Sequence, residues 1–573
     1  MTFLADVHQS EHDLEMRNGP AERTNLLVFR DVREHRSGDE LCGGLKRAVQ
    51  SVLDYPQDRD RKLDALIRAG EMESALADCE SPSTMQLSQV TDHLASGLLD
   101  ADDHACGLAQ ALQTLNHIAL PEMLTASPPE GFAYYALHPM DLAIWAWNTL
   151  RLNAPAAVIG IRNIGATLSA VLTAALNTTG SQAQRITVRP LGHPYDRVTN
   201  LSATQTSWIN QQSERSAEFF IVDEGPGLSG SSFLSVGEAL VRSGVPAERI
   251  TFVGTRQPDP DALCAADAAA RWGRFQSKTV SPSIYTELPR SADLSGGGWR
   301  GRLLDASYEW PACWPQMERL KVLSSDGKWL LKFEGLGRFG REARERGRIL
   351  ASAGFSFQPM EGDEGLTAYP FCGGATMHYE WLTSSVLERM AEYCAFRARH
   401  FRVPRQHGNR LQQMLRFNVS QELGIELRDD LEGLESSTPI LVDGRMQPWE
   451  WLHTSDGIMK VDACTHGDDH FFPGPTDIAW DLAGAIVEWG MEPQAIEFLT
   501  RRFQQLTGES SQRRLPLFLL AYTVFRMAYC KMALPTLLGT DEEARMRRVH
   551  NRYRQQAWQQ LHDSQLSRQA ATK

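Results

Sequence analysis

The sequence predicts a multidomain α/β protein: a helical N-terminal region, a parallel-sheet domain in the middle and a two-lobed α/β region towards the C-terminus. Three observations carry this. Apolar strand-like runs alternate with helix-like segments between about residues 126 and 282, the pattern of a parallel sheet with its sites at the carboxyl ends of the strands. A Gly/Ser/Pro-rich stretch follows, and then an alternating hairpin, LKVLSSDGKWLLKFEG, opens a second α/β region. Before both, Leu63, Leu66, Ile67, Met72 and Leu76 recur at near-helical spacing.

The bulk numbers bound the reading. A chain of 573 residues suggests three or four domains, and 42% hydrophobic with 23% charged residues is ordinary for a globular protein. The formal net charge of −13 argues against nucleic acid and anionic membrane as general partners. Nine scattered cysteines without a CxxC pair fit reduced thiols, and so a cytoplasmic setting. The first residues carry acids and lack the apolar stretch of a signal peptide, and no apolar run long enough to span a membrane is expected.

Taken in order, residues 1–125 read as a helical region without a chemical motif. Residues 126–282 begin with PEGFAYYALHP, whose Phe132, Tyr134, Tyr135 and His138 read as core or lid, with contact to an acceptor base as the alternative. A first strand at Ala157–Gly160 leads to Gly160-Ile161-Arg162-Asn163-Ile164-Gly165 and a helix. RITVRPLG is a second strand, EFFIVDEGPGLSGSS a third strand with a loop, and ERITFVGTR a fourth. Residues 283–300 read as a linker, 301–562 as the two-lobed region and 563–573 as a tail.

The third strand and its loop are the most informative segment. Phe219 to Val222 form a continuous apolar run that suits a buried parallel strand. Asp223 and Glu224 then offer two carboxylates to vicinal hydroxyls. Gly225, Gly227 and Gly230 let the backbone bend so that N–H groups converge on an anion, and Ser229, Ser231 and Ser232 add hydroxyls at a helix start. A sugar with a phosphate answers this combination.

The segment resembles the signature of type I phosphoribosyltransferases. That resemblance implies phosphoribosyl pyrophosphate, or a ribosyl-phosphate nucleotide, as ligand, with Mg2+. Asp223 and Glu224 match the family's acid pair, and Gly227 with Ser229-Gly230-Ser231-Ser232 matches its phosphate loop. Arg162, Asn163 and Gly165 fall where its pyrophosphate loop sits. Arg189, His193 and Arg197 fall where it has a hood over the site, with His193 a possible acid.

The C-terminal part carries a second motif set. Lys332 ends the hairpin, Glu342 and Glu345 follow on a helix, and Asp462 ends a short strand, with Asp481 beyond it. This order is similar to the aminoglycoside phosphotransferase and choline kinase superfamily, which implies ATP as a ligand, Lys332 on phosphate, one of the two glutamates paired to it, and Asp462 on metal. The catalytic loop departs: in Asp443-Gly444-Arg445-Met446-Gln447-Pro448-Trp449-Glu450-Trp451, Arg445 stands where the base belongs and Glu450 where an asparagine belongs. Arginine cannot accept a proton, so the lobe is expected to bind nucleotide or to use another base. His466, Asp468, Asp469 and His470 form a loop beside it, read as solvated or as a metal cluster.

Two functional expectations follow. One is a phosphoribosyltransferase-type enzyme coupled to a kinase-like nucleotide-binding domain. The other is a non-catalytic nucleotide sensor or assembly protein in a stress-response or regulatory complex.

Overall fold

The computed structural model describes residues 26–99, 105–150, 154–304, 309–372, 374–404, 410–427 and 431–564. The tail expected at 563–573 lies almost wholly outside them.

Four helices open the fold: α1 (Gly38–Asp54), α2 (Arg59–Asp78), α3 (Thr84–Leu99) and α4 (Ala105–His117). Ser37 and Asp58 cap α1 and α2 by accepting from backbone N–H groups, which satisfies donors that a helix start leaves free. A two-stranded antiparallel clip, β1 (Glu34–Ser37) with β2 (Met123–Ala126), closes the bundle. Helix α2 is buried on every side; besides Leu63, Leu66, Ile67, Met72 and Leu76 it buries Asp64, Glu71 and Glu73. Such a helix needs neighbours all round and partners for its acids.

The middle sheet is parallel throughout. Its strands β3 (Ala156–Ile161), β4 (Ala183–Val188), β5 (Glu218–Val222), β6 (Ile250–Gly254) and β7 (Gln276–Thr279) lie in the order β4-β3-β5-β6-β7. The buried runs AAVIGI and FFIV supply the two central strands. The helix Ile164–Thr178 covers one face and is itself buried under α2 and α3.

The C-terminal part has two lobes. The first is an antiparallel sheet, β11-β12-β10-β9-β8, with the expected hairpin between β9 (Lys321–Ser324) and β10 (Trp329–Phe333) turning at Asp326-Gly327. Strands β8 (Arg290–Asp293), β11 (Met360–Glu361) and β12 (Leu366–Pro370) complete it. The 283–300 stretch is therefore no free linker: β8 pairs with β9 across a bulge at Arg290–Ala292. The second lobe is helical, with a small sheet of β13 (Ala375–Thr376), β14 (Trp451–Thr454) and β15 (Gly457–Lys460). Against the sequence expectation, its segment Leu515–Thr536 is long and apolar enough to cross a membrane by composition. In the fold it is mostly buried, packed against Trp480 and the helix Asp541–Ser564.

The three parts share cores. One cluster runs from α1–α3 through the helix Ile164–Thr178 to Phe333, Leu336 and Leu366 of the antiparallel lobe. Residues 26–30 cross to the helical lobe, where Arg30 N–H donates to the His470 carbonyl at 2.7 Å and Asn418 clasps the Leu27 backbone with two bonds of 2.8 Å.

Arg185 of β4 is the most buried cross-connection. It meets Glu73 at 2.8 Å and Asp92 at 2.5 Å, and both Arg185 and Glu73 are nearly inaccessible. Arg185→Ala strands the Glu73 charge. It is expected to lower stability to urea by about 3–5 kcal/mol, whereas Arg185→Met with Glu73→Leu loses much less.

Candidate functional site

The first cluster forms at the carboxyl ends of β3, β4 and β5. Asp223 and Glu224 leave β5 side by side. The Asp223 carboxylate accepts from Glu224 N–H at 2.8 Å, yet burial dominates and pushes its pKa up to about 7, with the Glu224 charge adding to the rise. Glu224 pairs with Arg256 at 3.1 Å, and its carbonyl takes both the N–H and the hydroxyl of Thr255 at 2.8 Å.

Beyond the acids the chain bends. Gly230, at φ +70°, donates its N–H to the Pro226 carbonyl and starts the helix Ser231–Arg242. Among the described residues, the N–H groups of Gly227, Leu228 and Ser229 have no acceptor. Three free amides beside a helix start are donors of the kind an anion can take. The serines behave differently from expectation. Ser229 and Ser231 both donate to the Pro194 carbonyl, at 2.7 and 2.6 Å, and so tie the loop 225–232 to the loop 189–197. Of the three, Ser232 alone makes no hydrogen bond through its hydroxyl among the described residues.

Arg162 follows β3, and its peptide bond to Asn163 is cis. Asp78, the last residue of α2, meets Arg162 at 2.9 Å and Arg189 at 2.5 Å, and Arg189 also donates to the Arg162 carbonyl at 2.8 Å. One carboxylate thus holds two guanidinium groups together. Asn163 is engaged on both sides: its amide donates to the Ser127 carbonyl at 2.6 Å, and its carbonyl accepts from Ser74. Gly165 is a packing glycine. A Cβ there would sit 2.8 Å from the Val222 carbonyl, and one at Gly160 would sit 2.1 Å from the Gly165 carbonyl. Its backbone is spent on β3 and β5 and is closed to a ligand. In the 189–197 loop, exposed His193 caps the turn by accepting from Tyr195 N–H at 3.2 Å, and Arg197 is half-buried. Asp78 was not legible in sequence: an acid ending a helix reads as solvated.

The second cluster surrounds Asp462, a residue with φ +57° at the end of β15. Lys332 forms an ion pair with it, Lys321 approaches at 3.0 Å and His466 at 3.3 Å. Burial alone would raise the Asp462 carboxyl; these three neighbours overcome it and hold the group well below the carboxylate range. Lys332 also meets Glu334, just past the end of its strand, at 3.5 Å and Thr465 at 3.0 Å. The pairing with Glu342 or Glu345 does not form. Both lie on the exposed side of the helix Arg338–Ser352, Glu345 facing Arg348, because the other side is taken by Ala343, Gly347 and Leu350.

Around the altered loop, Asp481 accepts from the N–H groups of Asp443 and Gly444 at 2.8 and 2.9 Å. Burial, with Asp443 nearby, pushes the Asp481 carboxyl up to about 6. Lys460 sits between Asp443 at 3.4 Å and Glu450 at 3.8 Å, so Glu450 is a lysine's partner. Of the aromatic stretch, Phe132 is core and His138 pairs with Glu364 at 2.8 Å; Tyr134 and Tyr135 face the helical lobe.

These donors bear on the implied Mg2+. Asp462 is flanked by Lys321, Lys332 and His466, a setting for phosphate oxygens more than for a metal held by protein alone. Asp223 and Glu224 suit an ion that arrives with a pyrophosphate and completes its shell with ligand oxygens and water. Among the described residues no group of three His, Cys, Asp or Glu side chains is placed to hold a metal, so the 466–470 loop is no metal cluster.

No protein-family model and no curated protein matches the chain. Solved structures similar to it include a choline/ethanolamine kinase family protein from Mesorhizobium loti, at 16% identity over 43% of this chain and 88% of that one, TM-score 0.31. Others are the choline kinase LicA from Streptococcus pneumoniae, at 13% over 43% and 89%, TM-score 0.30, and an aminoglycoside 2'-phosphotransferase-IIIa in complex with GDP, at 14% over 45% and 96%, TM-score 0.29. Likeness of this extent sets neither function nor substrate.

Asp223 gives a pH prediction. A carboxyl whose folded pKa is raised keeps its proton in the folded state after the unfolded chain has lost it. Stability therefore falls as pH rises from about 4 to about 7, and the penalty is complete above that. Asp223→Asn is expected to remove this slope and to exceed the wild type by about 1 kcal/mol or more at pH 8 in urea unfolding, with little difference at pH 4.

Proposed function

We propose that the parallel-sheet domain, residues 126–282, is a phosphoribosyltransferase-type domain acting on phosphoribosyl pyrophosphate or a ribosyl-phosphate nucleotide. The observation that carries this is the nest of free amides at Gly227–Ser229 directly after the Asp223–Glu224 pair. The carboxylates would take the ribose hydroxyls and the nest the 5-phosphate. Arg162 and Arg189, already side by side, would take the pyrophosphate. A nucleophile on the acceptor would bond to carbon 1 as the bond to pyrophosphate breaks and the electron pair leaves with it. Stabilising that departing charge is the main catalytic demand. Mg2+ would enter with the pyrophosphate.

Residues 301–562 are read as a kinase-like domain that binds a nucleotide such as ATP, with Lys321 and Lys332 as phosphate partners. The second reading, a sensor or assembly protein that binds nucleotide without turnover, is favoured for this domain by Arg445, which cannot serve as a base.

Incubation with phosphoribosyl pyrophosphate, Mg2+ and a panel of bases tests the first domain. Pyrophosphate release is expected, and Asp223→Asn with Glu224→Gln is expected to lower it at least 100-fold. Saturable binding without release on any acceptor would replace the enzyme by the sensor. For the second domain, ATP is expected to raise the melting temperature of the wild type and to leave Lys332→Ala unchanged. No shift in either removes the nucleotide reading.

A further inference from the structure

Asp78 reaches the first cluster from outside the parallel sheet. It is the last residue of α2, a helix held by burial along its length. Its carboxylate takes the Arg189 fork with both oxygens, Nε at 3.1 Å and Nη2 at 2.5 Å. The same carboxylate lies 2.9 Å from Nε of Arg162. That second contact is poorly aligned, and the buried Arg162 Nε is left without a hydrogen-bond partner. Glu73 of α2 also acts on Arg162, but Arg185 holds it with two bonds of 2.8 and 2.9 Å. Among the described residues, Asp78 is thus the one carboxylate in direct contact with the arginine pair.

One carboxylate cannot fill two guanidinium forks. Arg162 and Arg189 lie side by side, with Arg189 donating to the Arg162 carbonyl at 2.8 Å. A diphosphate carries oxygens for both forks, whereas Asp78 serves one well and the other badly. The Asp78 and Arg189 side chains are 33% and 23% exposed, so their contact faces water. Ion pairs screened in this way are weak, and the carboxylate can swing into solvent without any change in the backbone. Arg189 is also close enough to Asp223 to favour the charged form of that carboxyl, which puts the arginine pair on the side of the acid pair.

We propose that Asp78 is a built-in competitor for pyrophosphate: it closes the Arg162–Arg189 pair when no ligand is present, swings aside when pyrophosphate binds, and by returning hastens the loss of pyrophosphate after the reaction. The inference rests on the reading of residues 126–282 as a phosphoribosyltransferase-type domain, and it gives the helical N-terminal region a part in that site. The apparent affinity of a ligand is reduced by the fraction of protein in which its site is closed, so removal of the competitor tightens binding. A residue that merely placed the two arginines would have the opposite effect, because its removal would let them drift apart. The sign of the change therefore separates competition from support.

The full chain is titrated by calorimetry with inorganic pyrophosphate and, separately, with ribose 5-phosphate, with Mg2+ present throughout, in wild type, Asp78→Asn and Asp78→Ser. Pyrophosphate is expected to bind both variants about tenfold more tightly than the wild type. Ribose 5-phosphate, which has no second phosphate to reach the arginines, is expected to bind all three alike, which also shows that the variants fold. In the wild type, saturation with pyrophosphate is expected to move the carboxyl carbon resonance of Asp78, a readout that needs no variant. Pyrophosphate binding that is unchanged or weakened in the variants, or an Asp78 resonance unmoved at saturation, overturns the proposal. The competitor and the transferase fail separately. Tightening in the variants without pyrophosphate release on any base keeps the competitor and removes the transferase; release without tightening does the reverse.

Discussion

Helix α2 carries five carboxylates, and every one is met by an arginine from another part of the chain. Asp60 and Asp64 hold Arg341 at 2.7 and 2.6 Å, and Glu71 holds Arg338 at 2.6 Å, in the helix that follows the Lys332 hairpin. Glu73 holds Arg185 in the parallel sheet, and Asp78 holds Arg162 and Arg189. Asp64, Glu71 and Glu73 are nearly inaccessible, and charges that deep are tolerated only when paired, so their spacing along one helix dictates how the parallel sheet and the antiparallel lobe sit against it. The arrangement of both candidate sites, and of the seam between them, depends on that constraint.

The two sites differ in what they leave open. At the end of β5 the backbone amides are free and the acids are adjacent, an arrangement that asks for a ligand carrying hydroxyls and a phosphate. At Asp462 the lysines are already neutralised, so a nucleotide must displace protein contacts to reach Lys332. Asp78 plays a comparable part in the first site, since it occupies the two arginines that a pyrophosphate would claim. Protein carboxylates thus stand in for ligand anions in both places.

Legibility in the sequence followed the range of the interaction. The central strands, the Asp326-Gly327 turn and the Asp223–Glu224 step were readable because each is written in neighbouring residues. The pairings of α2 were not, because acids and apolar residues on one helix look like an amphipathic surface until arginines some 80 to 280 positions away are brought to it. For the same reason Lys332 is expected to meet a glutamate on the next helix, when the residue just past its own strand supplies Glu334 and a distant strand end supplies Asp462. The stretch 283–300 read as a linker from its glycines, while pairing with β9 makes part of it a strand. The helix Leu515–Ala533 escaped notice as an apolar span because Arg526 and Lys531 interrupt the run.

The central claim is that the loop after β5 holds the phosphate of a ribose 5-phosphate. Amide hydrogen exchange of the full chain, followed by mass spectrometry with and without saturating ribose 5-phosphate, tests it most directly. The account predicts slowed exchange in the peptides that cover residues 225–232. Unchanged exchange there at saturation would contradict it.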